Sequence, residues 1–181
     1  MKYELTDETI DVSGTTLHRI KALKDFGNVK KGELGGYVES EYNLSQIGNC
    51  WVYGNARVCG DAELCGNAKV CGNARVCGNA EVCGNAWVYG NAEVYGNAEV
   101  CGNARVYGNA DYITIKGLGS RYRDTTIFKT RNEDVVVRCG CFYGTLTEFV
   151  NEVGITHGDS KYAKEYLALV ELAKIHFGIE K

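Results

Sequence analysis

From Val52 to Asp111 the chain repeats one six-residue pattern ten times. Lettering the positions a to f, a is Val except at Leu64, b is Tyr or Cys, and c is always Gly. Position d is Asn except at Asp61, e is always Ala, and f varies and is mostly charged. Reading e-f-a-b as a short strand points Ala and Val to one side and f and b to the other. Gly and Asn then supply a corner, since both tolerate positive φ at low cost. A strand this short cannot bury its valine alone, so successive coils must stack.

Three such sides close a triangular coil of about eighteen residues. The pattern Val-x-Gly-Asn-Ala-x resembles the hexapeptide-repeat superfamily, although the glycine stands at c where that family more often has it at b. The resemblance implies a left-handed parallel β-helix, a hand that departs from the usual right-handed crossover. Upstream, "QIGNCW" (46–51) keeps Gly48 and Asn49 in phase, and "LGGYVE" (34–39) keeps Leu34, Gly36 and Val38 in phase. Counting from Leu34, roughly four coils stack at about 4.8 Å each, a rod near 20 Å long. The stretch "LHRIKALKDFGNVKKGELGGYVE" is similar to the N-terminal cap of bacterial and phage-encoded proteins with "VYGNA" repeats. The expected organisation is a cap over 1–33, the β-helix over 34–111 and a C-terminal α+β cap over 112–181, a mainly β fold.

Residues eighteen apart share a face, so the three faces can be read off. One carries Arg57, Arg75 and Glu93, with Cys59, Cys77 and Tyr95. A second carries Glu63, Glu81 and Glu99 with Cys65, Cys83 and Cys101. The third carries Trp51, Lys69, Trp87 and Arg105 with Tyr53, Cys71, Tyr89 and Tyr107. Stacked carboxylates about 5 Å apart repel by roughly 1 kcal/mol per pair even in water. Either the glutamates splay into solvent, or Arg57 and Arg75 of a neighbouring copy face them. Family members commonly form threefold trimers through unlike faces, so the resemblance implies a homo-trimer. The Trp51–Lys69–Trp87–Arg105 row reads as cross-strand packing or as a platform for a partner, with Tyr53, Tyr89 and Tyr107 beside it.

After Tyr112 the hexads stop. "YITIKGLG", "TTIFKT" and "DVVVRCGC" read as three strands. Thr145 and Glu148 are spaced as a capping box for a short helix. "DSKYAKEYLALVELAKIHFG" reads as an amphipathic helix with Leu167, Val170, Ala173 and Phe177 along one side and Gly178 as its stop. Residues 112–140 hold six Lys or Arg against three acids, a local +3. In "KGLGSRYRD", Lys116, Ser120, Arg121 and Arg123, with Arg138, can cradle a phosphate, and Tyr122 or Tyr143 can stack on a base. The expected place for such a ligand is the junction of the repeat body and its C-terminal cap.

Nine cysteines suit a disulfide-bonded secreted protein, yet the acidic, polar N-terminus has no apolar core of a signal peptide. No run is long enough to span a membrane, which points to a cytoplasmic chain with its thiols free. Seven of the nine fall in the register of the repeat, which points to packing. The ladder Cys65–Cys83–Cys101 diverges along a straight wall, and Cys139, Cys141 and His157 are weakly spaced ligands, so the sequence assigns no metal and no cofactor. The formal charge of −3 draws the chain neither to nucleic acid nor to membrane.

Acetyltransferases of this superfamily typically use a histidine on a loop projecting between coils. Here His18, His157 and His176 all lie outside the hexads, and no loop interrupts 52–111. The repeat body therefore offers no general base beyond exposed glutamates. Three readings stay open. The first is a non-catalytic homo-oligomeric binder, phage- or prophage-encoded, capturing a host component such as a small nucleotide signal. The second is a structural module that inhibits or scaffolds a host protein. The third is an acyl- or nucleotidyl-transferase acting through the C-terminal cap.

Overall fold

Only one side of each short strand can point inward, and the alanines and valines take it. The computed structural model describes residues 1–179. Every e alanine from Ala56 to Ala104 and every a residue from Val52 to Val106 is buried to 1% exposure or less. The chain forms two compact units, Met1–Asn109 and the residues from Ala110 onward.

The first unit opens with β1 (Tyr3–Val12), β2 (Thr15–Ala22) and β3 (Leu34–Val38). Ten two-residue strands, β4 to β13, follow at six-residue intervals from Trp51–Val52 to Arg105–Val106. Strands eighteen residues apart pair in parallel, which builds three walls of a β-solenoid of about four turns. The walls carry the three sets of side chains that the eighteen-residue period predicts. Arg57, Arg75 and Glu93 share one, Glu63, Glu81 and Glu99 the next, and Trp51, Lys69, Trp87 and Arg105 the third.

At the corners glycine and asparagine divide the work differently from expectation. The c glycines from Gly54 to Gly102 have φ between 60° and 77°, whereas among the described residues positive φ outside glycine is confined to Ser13, Tyr122 and Glu133. The asparagines instead hydrogen-bond along the stack: Asn49 Nδ2 donates to Asn67 Oδ1 at 3.0 Å, and Asn79 Nδ2 to Asn97 Oδ1 at 3.1 Å. The glycines are needed twice over. A Cβ on Gly60, Gly66, Gly78 or Gly84 would lie 2.9–3.1 Å from the backbone of the glycine one coil on.

The first coil is two residues longer than the rest. Val38 pairs with Val58 and Leu44 bridges to Leu64, each twenty residues apart. A 3-10 turn at Glu41–Asn43 lies in this longer coil, and buried Asn43 donates through Nδ2 to Gly60 O (2.8 Å) and Ala62 O (2.9 Å). Leu34, expected inside, is 47% exposed and pairs with Lys21; Val38 takes the inward place. The antiparallel β1–β2 hairpin extends the Arg57 wall to six strands. It brings Tyr3 onto Trp51, and Phe26, from the loop that follows, meets the same ring; both contacts are edge to face. Lys2 is buried beside them, its Nζ donating to Cys50 O at 3.0 Å, and burial lowers its pKa.

The thiols are not all free, contrary to expectation. Cys59 and Cys77 form a disulfide, with Cα atoms 4.7 Å apart. Adjacent parallel strands impose that spacing, and it lies within the range a disulfide needs.

The second unit is an antiparallel sheet in the order β14 (Tyr112–Leu118), β15 (Arg123–Lys129), β16 (Val135–Cys139), β17 (Phe142–Thr145). The fourth strand escaped the sequence reading because it is short and runs straight into α1 (Leu146–His157). The capping box is present: Thr145 Oγ1 accepts from Glu148 N at 3.2 Å, and Glu148 Oε2 accepts from Thr145 N at 2.8 Å. Helix α2 (Lys161–Phe177) starts at an Ser160 cap and stops at Gly178, φ 66°. Its buried stripe is Ala163, Tyr166, Leu169, Val170 and Ala173; Leu167, expected in it, is 41% exposed. Residues 163, 166, 170, 173 and 177 keep the three-four spacing of one face, and Leu167 falls a step to the side.

Candidate functional site: a cleft in the C-terminal unit

A cleft of about 280 Å³ opens between one end of the sheet and the two helices. The β14–β15 turn lends Ser120 and Arg121, β15 opens with Arg123, and the β16–β17 hairpin lends Cys139, Cys141 and Phe142. Helix α1 contributes Phe149, Glu152, Val153, Thr156 and His157, and α2 contributes Tyr166.

Two glycines make room for it. Gly119 (φ 71°) lies against the Tyr166 phenol, and Gly140 (φ 59°) against the Arg123 guanidinium; a Cβ on either would collide with that neighbour. The Gly119 amide donates to Glu165 Oε2 at 2.9 Å, which ties the arginine-bearing turn to α2. Gly140 and Cys141 form a two-residue hairpin loop whose first residue needs positive φ, a position that favours glycine.

The polar groups meet around Tyr166. Its hydroxyl donates to Leu118 O at 3.4 Å, Cys139 Sγ lies 3.7 Å away, and Thr125 Oγ1 donates to Cys139 Sγ at 3.2 Å. Burial, then the hydrogen bond with Cys139, pushes the Tyr166 pKa up to about 12. The His157 ring lies 5.6 Å from the Tyr166 ring, centroid to centroid. Beside Arg121 and Arg123 the lining residues include one carboxylate, Glu152, which accepts from Thr156 Oγ1 at 3.0 Å. Phe142, Phe149 and Val153 form an apolar floor. Such a site can hold an anion at the arginines while an apolar or aromatic body rests on the phenylalanines.

Of the phosphate-cradle residues, Ser120, Arg121 and Arg123 come together here. The others do not line the cleft. Lys116 is exposed on β14, and Tyr122 is 67% exposed at φ 50°. Arg138 and Tyr143 are cross-strand partners, and each is next in sequence to a cleft residue, Cys139 and Phe142. Strand alternation therefore puts both on the other face of the sheet. The aromatic side chains at hand are Phe142, Phe149 and Tyr166, which sequence reading missed because they come from separate elements, and His157, which it weighed only as a weakly spaced ligand. All the lining residues belong to the C-terminal unit, so this cleft is not the junction expected from the sequence.

On the third wall, Trp51 is wholly buried and leaves the proposed platform, because Tyr3 and Phe26 cover it. Trp87 is sandwiched within the chain by Lys69 (4.8 Å) and Arg105 (4.6 Å). Tyr89 packs on both Trp87 and Tyr107, and burial raises the pKa of Tyr53. On the first wall Arg75 pairs with Glu93 of its own chain at 3.3 Å. The acidic wall brings Cys65, Glu81 and Cys83 together, their ligand atoms within 4.8 Å of one another.

No protein-family model matches the chain. Over 60 residues it is 38% identical to the uncharacterized acetyltransferase YdcK of Escherichia coli strain K12. That stretch covers 29% of this chain and 18% of the relative. The hexads, the solenoid and this likeness fit a hexapeptide-repeat superfamily protein. Among the described residues no helix is long and apolar enough to cross a membrane.

Proposed function

We propose that this protein binds a small anionic ligand in the C-terminal cleft. The observation that carries the reading is the pair Arg121 and Arg123, held from one tight turn above an apolar floor. The volume, about 280 Å³, sits at the small end for a ligand site and suits a mononucleotide-sized phosphate ester. Phe142 and Phe149 take the stacking role that sequence reading gave to Tyr122 and Tyr143. The likeness of cap and repeats to phage-encoded "VYGNA" proteins supplies a context: a prophage or phage product that captures a host nucleotide signal in the bacterial cytoplasm. Assembly as a homo-trimer, with Arg57 and Arg75 of one copy facing Glu63, Glu81 and Glu99 of another, belongs to the same reading. Sedimentation of the purified chain as a monomer would remove that part of it.

Calorimetry against a panel of linear and cyclic mononucleotides is the direct test. Losing one charge-assisted contact costs about 1.5–3 kcal/mol, so Arg123→Ala should weaken binding roughly ten- to a hundredfold. Trp87→Ala should leave it unchanged. No heat with any phosphate ester, or equal affinity in Arg123→Ala, overturns the reading and shifts attention to a protein partner on the Trp87 wall.

A second reading, transfer of an acyl group, is favoured by the likeness to an acetyltransferase and by His157, Cys139 and Cys141 on the cleft. Turnover of an acyl-coenzyme A donor that His157→Ala abolishes would establish it.

A further inference from the structure

On the acidic wall each outward glutamate is followed two residues later by an outward cysteine, and the backbone fixes the register of both. Cys65 N donates to Val82 O at 3.1 Å, Glu81 N to Ala98 O at 2.9 Å and Cys83 N to Val100 O at 3.0 Å. The Cys65 and Cys83 sulfurs and a Glu81 carboxylate oxygen all lie within 4.8 Å of one another. Cys65 and Cys83 carry free thiols, both half-buried, and Glu81 is exposed. The sulfur ladder alone diverges along the wall. The carboxylate set between two rungs is what makes three donors converge.

The other walls show why this place differs. Cys59 and Cys77 have the same stacking but stand beside Arg57 and Arg75, and they are joined as a disulfide. Cys71 stands beside Lys69, with Tyr53 and Tyr89 on the rungs before and after it. Only the acidic wall combines neighbouring thiols with carboxylates. Two thiolates and a carboxylate amount to three negative charges, a donor set that suits a thiophilic divalent cation.

We propose that Cys65, Glu81 and Cys83 form a three-donor site for a thiophilic divalent cation such as Zn²⁺ or Cd²⁺, with a further coordination position open to water. Zinc–sulfur bonds of about 2.3 Å set tetrahedral sulfurs roughly 3.8 Å apart, so the donors need to close by about 1 Å or less. Rotation of half-exposed thiols and an exposed glutamate supplies that movement on an unmoved backbone. Without a cation the site resists ionisation. Burial and then Glu81 raise the Cys65 pKa, while Cys83 is raised first by its hydrogen bond with Cys101 and then by burial. A bound cation takes the place of the thiol protons and screens the stacked glutamates.

The test uses the unmodified chain, Cys59–Cys77 disulfide intact, in degassed buffer without reductant. Titration with Cd²⁺ should raise a thiolate-to-metal charge-transfer band that saturates at one ion per chain. Bound Cd²⁺ should protect Cys65 and Cys83 from alkylation, read by peptide mass spectrometry, while Cys71 stays reactive. Cys65→Ser and Cys83→Ser should each weaken binding at least tenfold. Glu81→Gln, on an exposed side chain, should weaken it severalfold with the fold unchanged, and Cys71→Ser should leave it unaltered. The proposal fails if Cd²⁺ leaves Cys65 and Cys83 open to alkylation, or if the band survives in the Cys65→Ser/Cys83→Ser double variant. It fails equally if native protein shows these two cysteines already linked.

Discussion

Asn67 Nδ2 donates to Asn85 Oδ1 at 3.0 Å, and Asn85 in turn donates to Asn103 Oδ1 at 3.4 Å. The corner asparagines thus form an amide ladder on the outside of the coil, parallel to the backbone ladder within. Removing a middle rung breaks two exposed hydrogen bonds of about 0.5–1.5 kcal/mol each. Asn85→Ala should lower the urea-derived unfolding free energy by about 1–2 kcal/mol. Asp61 interrupts the column that continues through Asn79 and Asn97, so Asp61→Asn should raise stability slightly. Equal stability of Asn85→Ala and the parent would mean the ladder contributes nothing.

The glycine column separates two costs that usually come together. Gly84 and Gly96 have nearly the same φ, 66° and 69°, but only Gly84 has a glycine backbone within reach of an added Cβ, at 2.9 Å. A side chain in the left-handed region costs about 1–2 kcal/mol at either site. Gly84→Ala should pay that and a collision with Gly102, while Gly96→Ala should show the first term alone. Thermal unfolding of the two variants side by side measures the difference. Identical losses would show that the coils part freely at this corner.

The inner column offers a matching contrast. Ala80 is 1% exposed, while Glu81 beside it is exposed. Ala80→Leu should overpack the coil and cost about 1–3 kcal/mol, whereas Glu81→Gln should leave the melting temperature close to the parent's. A similar shift from both would contradict the inside-outside assignment.

The walls were readable in advance because an invariant hexad leaves no freedom in which residues stack. What the sequence hid lies where the period breaks. Trp51 and Trp87 occupy equivalent positions, and nothing in the hexad says that Tyr3 and Phe26 will close over one of them. Leu34 kept phase by counting, but the segment between Leu44 and Trp51 absorbs two residues that no period announces. In the cleft, composition singled out Ser120, Arg121 and Arg123, which are adjacent in the chain. His157 and Tyr166 reach the same place only through the packing of α1 and α2, and Tyr143 was lost to strand alternation. The carboxylate between Cys65 and Cys83 was likewise invisible while thiols and acids were read as separate ladders.

The Cys59–Cys77 bridge closes a loop of one coil, a sequence separation of 18. In the chain-entropy model such a crosslink stabilises by about 3 kcal/mol. Alkylation of the native protein followed by peptide mass spectrometry should find these two cysteines linked. Adding reductant, or substituting Cys59→Ala/Cys77→Ala together, should lower stability by up to that amount without unravelling the other walls. Full alkylation of both residues in unreduced protein would rule the bridge out.

Tyr166 gives the C-terminal unit an alkaline limit. The phenol is 6% exposed and donates to Leu118 O, which an ionised phenolate cannot do. Its pKa rises from the ordinary 10.0 to about 12 in the folded chain, so folding favours the protonated form. The sign follows from linkage: the unfolded chain loses this proton first, near pH 10, and stability then falls with rising pH until the folded phenol ionises near pH 12. Below about pH 10 the contribution is intact. Tyr166→Phe removes the titrating group while keeping the ring packed on Phe149. Urea unfolding through this window should show the parent losing stability more steeply than Tyr166→Phe, with the two curves running parallel at neutral pH. Equal slopes above pH 10 would show that the phenol ionises in the folded chain as readily as in the unfolded one, and that the contact with Leu118 and Cys139 does not hold its proton.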